Sequence, residues 1–190
     1  MFNEIAKSTD LTVASVSAGV GSKEGAFGGG VFHFKCYDKD GNLKWEDTAH
    51  NLVVNEGLKD MNDKYFSGSG YSATWYLGLV NNSPSPTYAA GDTLASHATW
   101  NETTDYSGNR KAVTFGAATL ADPSVISNTA SPASFSITGT VTVAGAFLAS
   151  VATGTSGILF SVSSFQSPGA RSVVSGDTLS VTYQFSLDAA

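Results

Sequence analysis

The residues that could carry chemistry are few, and their spacing decides most of what they could do. Cys36 and His33, a potential thiol–imidazole pair, stand three apart in a stretch of alternating hydrophobicity. On a strand that spacing sends them to opposite faces, so they cannot act as nucleophile and base. Glu46 and Asp47 are adjacent and point apart for the same reason, which excludes the paired carboxylates of a glycosidase. His33, His50 and His97 have no spacing that converges on zinc. The run Asp38-Lys39-Asp40-Gly41-Asn42 has a calcium-loop composition, but its glycine comes fourth instead of sixth. Ala49 stands where the bidentate glutamate belongs, so the run reads as a hairpin turn. The glycines from Gly19 to Gly30 do not join a strand to a helix, and no Lys-Ser/Thr pair follows them. No catalytic residue, cofactor or metal ion is expected.

Composition narrows the function further. The chain has 190 residues, enough for one domain with a sizeable core. Only 14% of them are charged, against about a quarter in ordinary globular proteins. Beyond Lys111 the only charges are Asp122, Arg171, Asp177 and Asp188, and Ser, Thr, Gly and Ala fill the gap. Such a surface can lie against another protein at small desolvation cost. A net charge of -6 with scattered basic residues argues against nucleic acid as a partner. The lone Cys36 excludes an internal disulfide and suits a reducing compartment. No apolar run reaches the length of a membrane span, and Glu4, Lys7 and Asp10 interrupt any signal-like core. A soluble, non-secreted protein is expected.

The elements follow from periodicity. Residues 135–143 and 179–187 alternate apolar and Ser/Thr positions, as strands with one buried and one wet face do. Phe135, Ile137, Val141 and Val143 form the inward set of the first, with Gly139 in the same row. Leu179, Val181, Tyr183, Phe185 and Leu187 form that of the second. Residues 31–37 and 43–47 read as a hairpin, and 75–80, apolar on both faces, as a central strand. Residues 111–120, 158–165 and 172–174 read as further strands, with a loop at 121–132. The only substantial helix is expected at 56–66, capped by Asn55, with Leu58, Met61 and Tyr65 as its apolar stripe. Gly-Asp-Thr-Leu occurs twice, at 91–94 and 176–179, and reads as two similar turns.

Together these predict an all-β, antiparallel sandwich, jelly-roll-like, over 31–190. Residues 1–30 form an extended N-terminal arm, jointed at Gly28-Gly29-Gly30 and ordered only by a partner. Within the arm, Leu11, Val13, Ser15 and Ser17 permit a short strand. The long polar and aromatic excursion over 88–110 is the expected binding element, with Tyr88, Trp100, Tyr106 and Arg110 as candidate protein contacts.

Four stretches carry a resemblance. They are Asn51-Leu52-Val53-Val54-Asn55-Glu56-Gly57-Leu58, Trp75-Tyr76-Leu77-Gly78-Leu79-Val80, and Ala89-Ala90-Gly91-Asp92-Thr93-Leu94-Ala95-Ser96-His97 with Trp100 and Glu102. The fourth joins Ala144-Gly145-Ala146-Phe147-Leu148 to Gly176-Asp177-Thr178-Leu179-Ser180-Val181-Thr182-Tyr183. In this order the chain resembles a group of small virion structural proteins of tailed bacteriophages, over residues 31–187. The resemblance implies a non-catalytic capsid decoration, or cement, protein. It would bind the major capsid protein, associate as a homo-oligomer (dimer or trimer), and sit on the capsid surface after synthesis in the bacterial host cytoplasm. No nucleic acid or membrane partner is implied. The same features suit a tail, collar or fibre component. From a different class, Trp75, Tyr88, Trp100 and Tyr106 suit a carbohydrate-binding module.

Overall fold

The computed structural model describes residues 26–71, 74–166 and 169–189. Its first strand, β1 (Ala26–Tyr37), follows from the alternation of buried Phe32, Phe34 and Cys36 with outward His33 and Lys35. Asp38 then organises the turn. Its carboxylate accepts the N–H groups of Asp40 and Asn42, both at 2.9 Å, while Gly41 takes the positive φ of 84°. These bonds, led by the side chain of Asn42, hold the Asp38 carboxyl below its ordinary pKa. The chain returns as β2 (Leu43–Val53), enters α1 (Asn55–Phe66), and leaves it for β3 (Trp75–Asn81). Two short strands follow, β4 (Asn101–Thr103) and β5 (Lys111–Val113), then β6 (Ser124–Ser127) and β7 (Ala133–Ser136). The last four are β8 (Val141–Ala149), β9 (Leu159–Ser163), β10 (Arg171–Val173) and β11 (Thr178–Ala189).

The described strands pair antiparallel in the order β4-β3-β8-β9-β2-β1-β11-β6, with β5, β7 and β10 attached at the sides. This path folds over into a sandwich at β2. The strand pairs with β1 as far as His50, then Asn51, Leu52 and Val53 pair with Ser163, Val162 and Ser161 of β9. One sheet is therefore β1, β6, β7, β11 and most of β2. The other is β3, β4, β5, β8, β9, β10 and the end of β2. Phe32, Phe34, Phe135, Val181 and Tyr183 of the first meet Leu77, Leu79, Ala146 and Leu148 of the second in the main core. The second sheet is apolar on both faces, as expected for β3, whose Leu77–Val80 stretch is wholly buried.

Several expected elements are corrected. β1 begins at Ala26, so Gly28, Gly29 and Gly30 belong to a strand paired with β11 and are not a joint. The rest of the expected arm lies outside the described residues, as does the candidate strand at Leu11, Val13, Ser15 and Ser17. The single strand over 135–143 is two. β7 pairs with β11 in one sheet, and β8 with β3 in the other. The chain crosses between them at Gly139, where an added Cβ would meet Asp105 Oδ1 at 2.6 Å. Of 111–120 only β5 is a strand, and β6 lies inside the expected loop at 121–132. Leu187, placed inward by its alternation, is 40% exposed near the end of β11.

The helix is also oriented differently. Val54, not Asn55, is its N-cap, and no side chain caps it. The inward positions are Gly57 and Asp60, with Met61 of the expected stripe half-buried against the main core, whereas Leu58, Tyr65 and Phe66 are exposed. The reason is backbone contact. An added Cβ at Gly57 would lie 2.9 Å from Phe160 Cα and closer still to its carbonyl oxygen, so the helix rests directly on β9. Close approach at one glycine overrides the apolar stripe.

Two substitutions check this arrangement. In most helices Gly→Ala stabilises by roughly 0.5–1 kcal/mol; here Gly57→Ala is expected to lower the urea midpoint, because the new methyl must displace α1. Ile137→Ala, at a 3% exposed site bridged to Tyr106, is expected to cost about 2–5 kcal/mol. A neutral Ile137→Ala, or a stabilising Gly57→Ala, would contradict the packing described.

Candidate functional site

The two sheets present very different outer faces. On the first, residues opposite one another across the strands share the solvent side, and they form rows. Ser134, Ser180, Lys35 and Glu46 make one row; Thr182, His33 and Thr48 a second; Ser127, Gln184, Val31 and His50 a third. His33 Nδ1 and Thr48 Oγ1 are 3.3 Å apart, and Lys35 and Glu46 approach to 3.8 Å while exposed. An ion pair that wet contributes little to stability. A shallow depression lined by His33, Lys35, Glu46 and Thr48 lies on this face. The face mixes hydroxyls with two imidazoles and an amide, and its fixed charge is the Lys35–Glu46 pair.

The outer face of the second sheet is covered by the chain itself. Trp100 is the centre of the cover. It is 1% exposed, packs 5.4 Å from Phe147, stacks on His97 at 3.9 Å, and meets Tyr88 edge-on at 6.0 Å. Val54, Val80, Leu94 and Leu159 belong to the same buried cluster. The Tyr88 hydroxyl receives a hydrogen bond from Ser164 Oγ at 3.0 Å, and burial raises its pKa to about 12. Arg110 forks onto Glu102, with Nη2 at 2.7 Å from Oε2 and Nε at 3.0 Å from Oε1, and gives Nη1 to the carbonyl of Val151 at 3.1 Å. Its guanidinium also lies over the Phe147 ring. Tyr106 donates to Glu102 Oε1 at 3.3 Å and packs edge-on against Phe135.

The expected contact set is therefore corrected. Trp100, Tyr106 and Arg110 are buried and Tyr88 is half-buried, so they fasten the excursion down instead of presenting a surface. Aromatic residues in a long loop signal order, but not which way they face. The signal for the bare face was the Ser/Thr half of each strand's alternation, which lies opposite the buried rings.

Two further anchors hold the cover. Glu56 Oε2 accepts the backbone N–H of Leu159 at 2.7 Å and of Leu94 at 3.2 Å, tying helix, strand and loop together. The repeated Gly-Asp-Thr-Leu makes the same pair of hydrogen bonds twice, although only Gly176 of the two glycines takes a positive φ. Asp92 accepts the N–H of Ala89 at 3.0 Å and returns its own N–H to that residue's carbonyl; Asp177 does the same with Val174. Each buried aspartate then reaches a distant group, Trp100 Nε1 at 3.1 Å for Asp92 and the Lys44 ammonium for Asp177. The leucine that ends each repeat, Leu94 or Leu179, is fully buried. The repeat is a structural device with a sequence signature.

Cys36 has no catalytic surroundings. Its Sγ is 3.8 Å from the Asp177 carboxylate, and His33 faces the other side of β1. Burial, reinforced by the Asp177 charge, pushes the thiol from its ordinary 9.0 up to about 11, the opposite of an activated nucleophile. Among the described residues no group of three or more His, Cys, Asp or Glu side chains could hold a metal ion, and no helix is long and apolar enough to cross a membrane. No protein-family model matches the chain, and no curated protein or solved structure matches it either.

The raised thiol has a measurable consequence. The unfolded chain releases this proton near pH 9, whereas the folded one holds it to about pH 11, so the stabilisation is complete below 9 and is lost as pH rises through 11. The slope in that window is expected to be about 1.4 kcal/mol per pH unit at most. Above pH 10 the buried Tyr88, Tyr106 and Tyr183, all shifted upward by burial, steepen the fall. In Cys36→Ala the decline should begin only near pH 10, as measured by denaturant unfolding across the range. An unchanged profile would mean that the thiol ionises freely in the native protein.

Proposed function

We propose that this chain is a non-enzymatic virion structural protein, a capsid decoration protein that lays the bare face of its β1–β2–β11 sheet on the lattice of the major capsid protein. The observation that carries the reading is the asymmetry of the two faces. One is closed by the chain's own loop, with Trp100 at its centre; the other, among the described residues, is left as open rows of Ser, Thr, Gln and His around Val31 and the exposed Lys35–Glu46 pair. A hydroxyl face costs little to desolvate when matched by hydrogen-bond partners, and it does not drive aggregation while the protein is free. Many weak copies on a repeating shell gain from the lattice, so a modest single contact is enough. The resemblance to phage virion proteins supports the same reading, as does the shortage of charge. A place in the tail, collar or fibre remains the second reading, since the same face could pack there. The glycan-binding alternative loses its support, because Trp100 and Tyr106 are buried and Trp75 packs edge-on against Phe160.

Copy number in purified particles tests the location. Hundreds of copies per virion are expected for decoration, and a dozen or fewer would move the protein to the tail. The face itself is tested by Thr182→Arg, a partly exposed position in the middle of the rows. The melting temperature should hold, while attachment to undecorated shells should weaken by about tenfold or more, since a new charge must be desolvated. Attachment at the wild-type concentration would remove this face from the interface.

A further inference from the structure

Spacing along the chain separates the histidines, but the register of the first sheet brings two of them together. His33 of β1 lies opposite Thr48 of β2, and His50 stands two residues beyond Thr48 on the same strand. His33 and His50 are therefore diagonal neighbours on the outer face of the hairpin, and both are exposed. Such neighbours stand about 7–8 Å apart with their Cβ atoms closer, a gap that two imidazoles can span. The His33 ring is turned towards β2, with Nδ1 at 3.3 Å from Thr48 Oγ1. A ring that gives its Nδ1–H to such a partner keeps the Nε2 lone pair for a ligand, the arrangement usual for a metal-binding imidazole. Lys35 follows His33 on β1, but it is paired at 3.8 Å with Glu46, the other diagonal neighbour of His33. The fixed charge beside the two rings is thus nearly balanced, and the chain's net charge of -6 favours a cation.

We propose that His33 and His50 form a two-imidazole site for a borderline divalent cation such as zinc, on the open face of the first sheet. Imidazole nitrogen is a preferred ligand of such ions, whereas calcium and magnesium take oxygen ligands. Zinc bonds imidazole nitrogen at about 2.0–2.1 Å and is satisfied by four ligands. This pair supplies two of them, and among the described residues no third His, Cys, Asp or Glu side chain joins them. The other positions stay open to water, or to a donor on whatever lies against the face. With so few protein ligands the ion is weakly held and exchangeable. His97, the third histidine, is stacked on Trp100 over the second sheet and takes no part. The expectation of no metal ion rested on spacing in the sequence, which carries no information about cross-strand neighbours. The site stands whether or not this face docks on a shell.

Zinc titration of the full chain tests the site. Calorimetry at neutral pH is expected to show saturable binding, and the ring signals of His33 and His50 in NMR spectra should move together with it. His33→Gln and His50→Gln should each weaken binding by at least about tenfold, the least that losing even an outer partner of a metal ligand costs. Both side chains are exposed, so the melting temperatures of the metal-free variants should match the wild type. Thr48→His adds a third imidazole to the same face, opposite His33 and beside His50, and should tighten binding by at least about tenfold. A wild-type chain that takes up no zinc at millimolar concentration would overturn the proposal. So would either Gln variant binding as tightly as the wild type, or Thr48→His leaving the affinity unchanged, since the ion would then lie elsewhere.

Discussion

Tyr183 is buried between the two sheets, and its hydroxyl accepts hydrogen bonds from Asn51 Nδ2 at 3.0 Å and from Ser161 Oγ at 3.4 Å. Those partners belong to the strand that changes sheets and to the strand that receives it. β2 can leave β1 only if the backbone it abandons is satisfied some other way, because unpaired buried polar groups cost about 1–3 kcal/mol each. Asn51 meets the need with both ends of its amide, taking the Gly30 N–H and giving to Tyr183. Asn128 secures the same tyrosine from behind, accepting its backbone N–H at 2.6 Å. Burial holds the phenol in its neutral form. Remove this arrangement and the sheets have no reason to fold over at that residue.

Once the sandwich is closed at β2, its second sheet has apolar side chains on both faces and must be covered. The cover is irregular chain, so its order rests on specific anchors more than on repeated backbone pairing. Asp92 with Trp100 and Arg110 with Glu102 brace the cover within itself, while Glu56 with Leu94 and Leu159, and Arg110 with the Val151 carbonyl, join it to the elements beneath. A buried ion pair such as Arg110–Glu102 adds little net stability over an apolar pair of equal size, yet it tolerates only one geometry. The anchors therefore explain how 88–110 is held in place, while Trp100 and its aromatic neighbours supply most of the burial.

Strand alternation was the legible part of this chain. The hairpin of β1 and β2, the two-sided burial of β3, and the inward row of β11 from Leu179 to Phe185 follow directly from residue type and period. What could not be read was where a continuous pattern changes partners. From Phe135 to Val143 the period is unbroken, but Gly139 lets the chain cross from one sheet to the other without disturbing which side faces the core. The helix departs from its pattern for a related reason. Contact at Gly57 brings the backbones so close that the helix turns, leaving Met61 of the apolar stripe on the core while Leu58 and Tyr65 face solvent. The aromatic residues of 88–110 marked an ordered region, and only tertiary packing decides whether such rings cover a sheet or meet a partner.

The bare face and the open edge of the first sheet differ in the chemistry they offer. The face recognises through side-chain hydroxyls and amides, so a charge placed there alters it without touching the ladder. The edge recognises through backbone groups, so it depends on register and is indifferent to most outward side chains. The two meet at Asn51, where a side-chain amide takes the Gly30 N–H that the ladder leaves behind as β2 crosses to the other sheet.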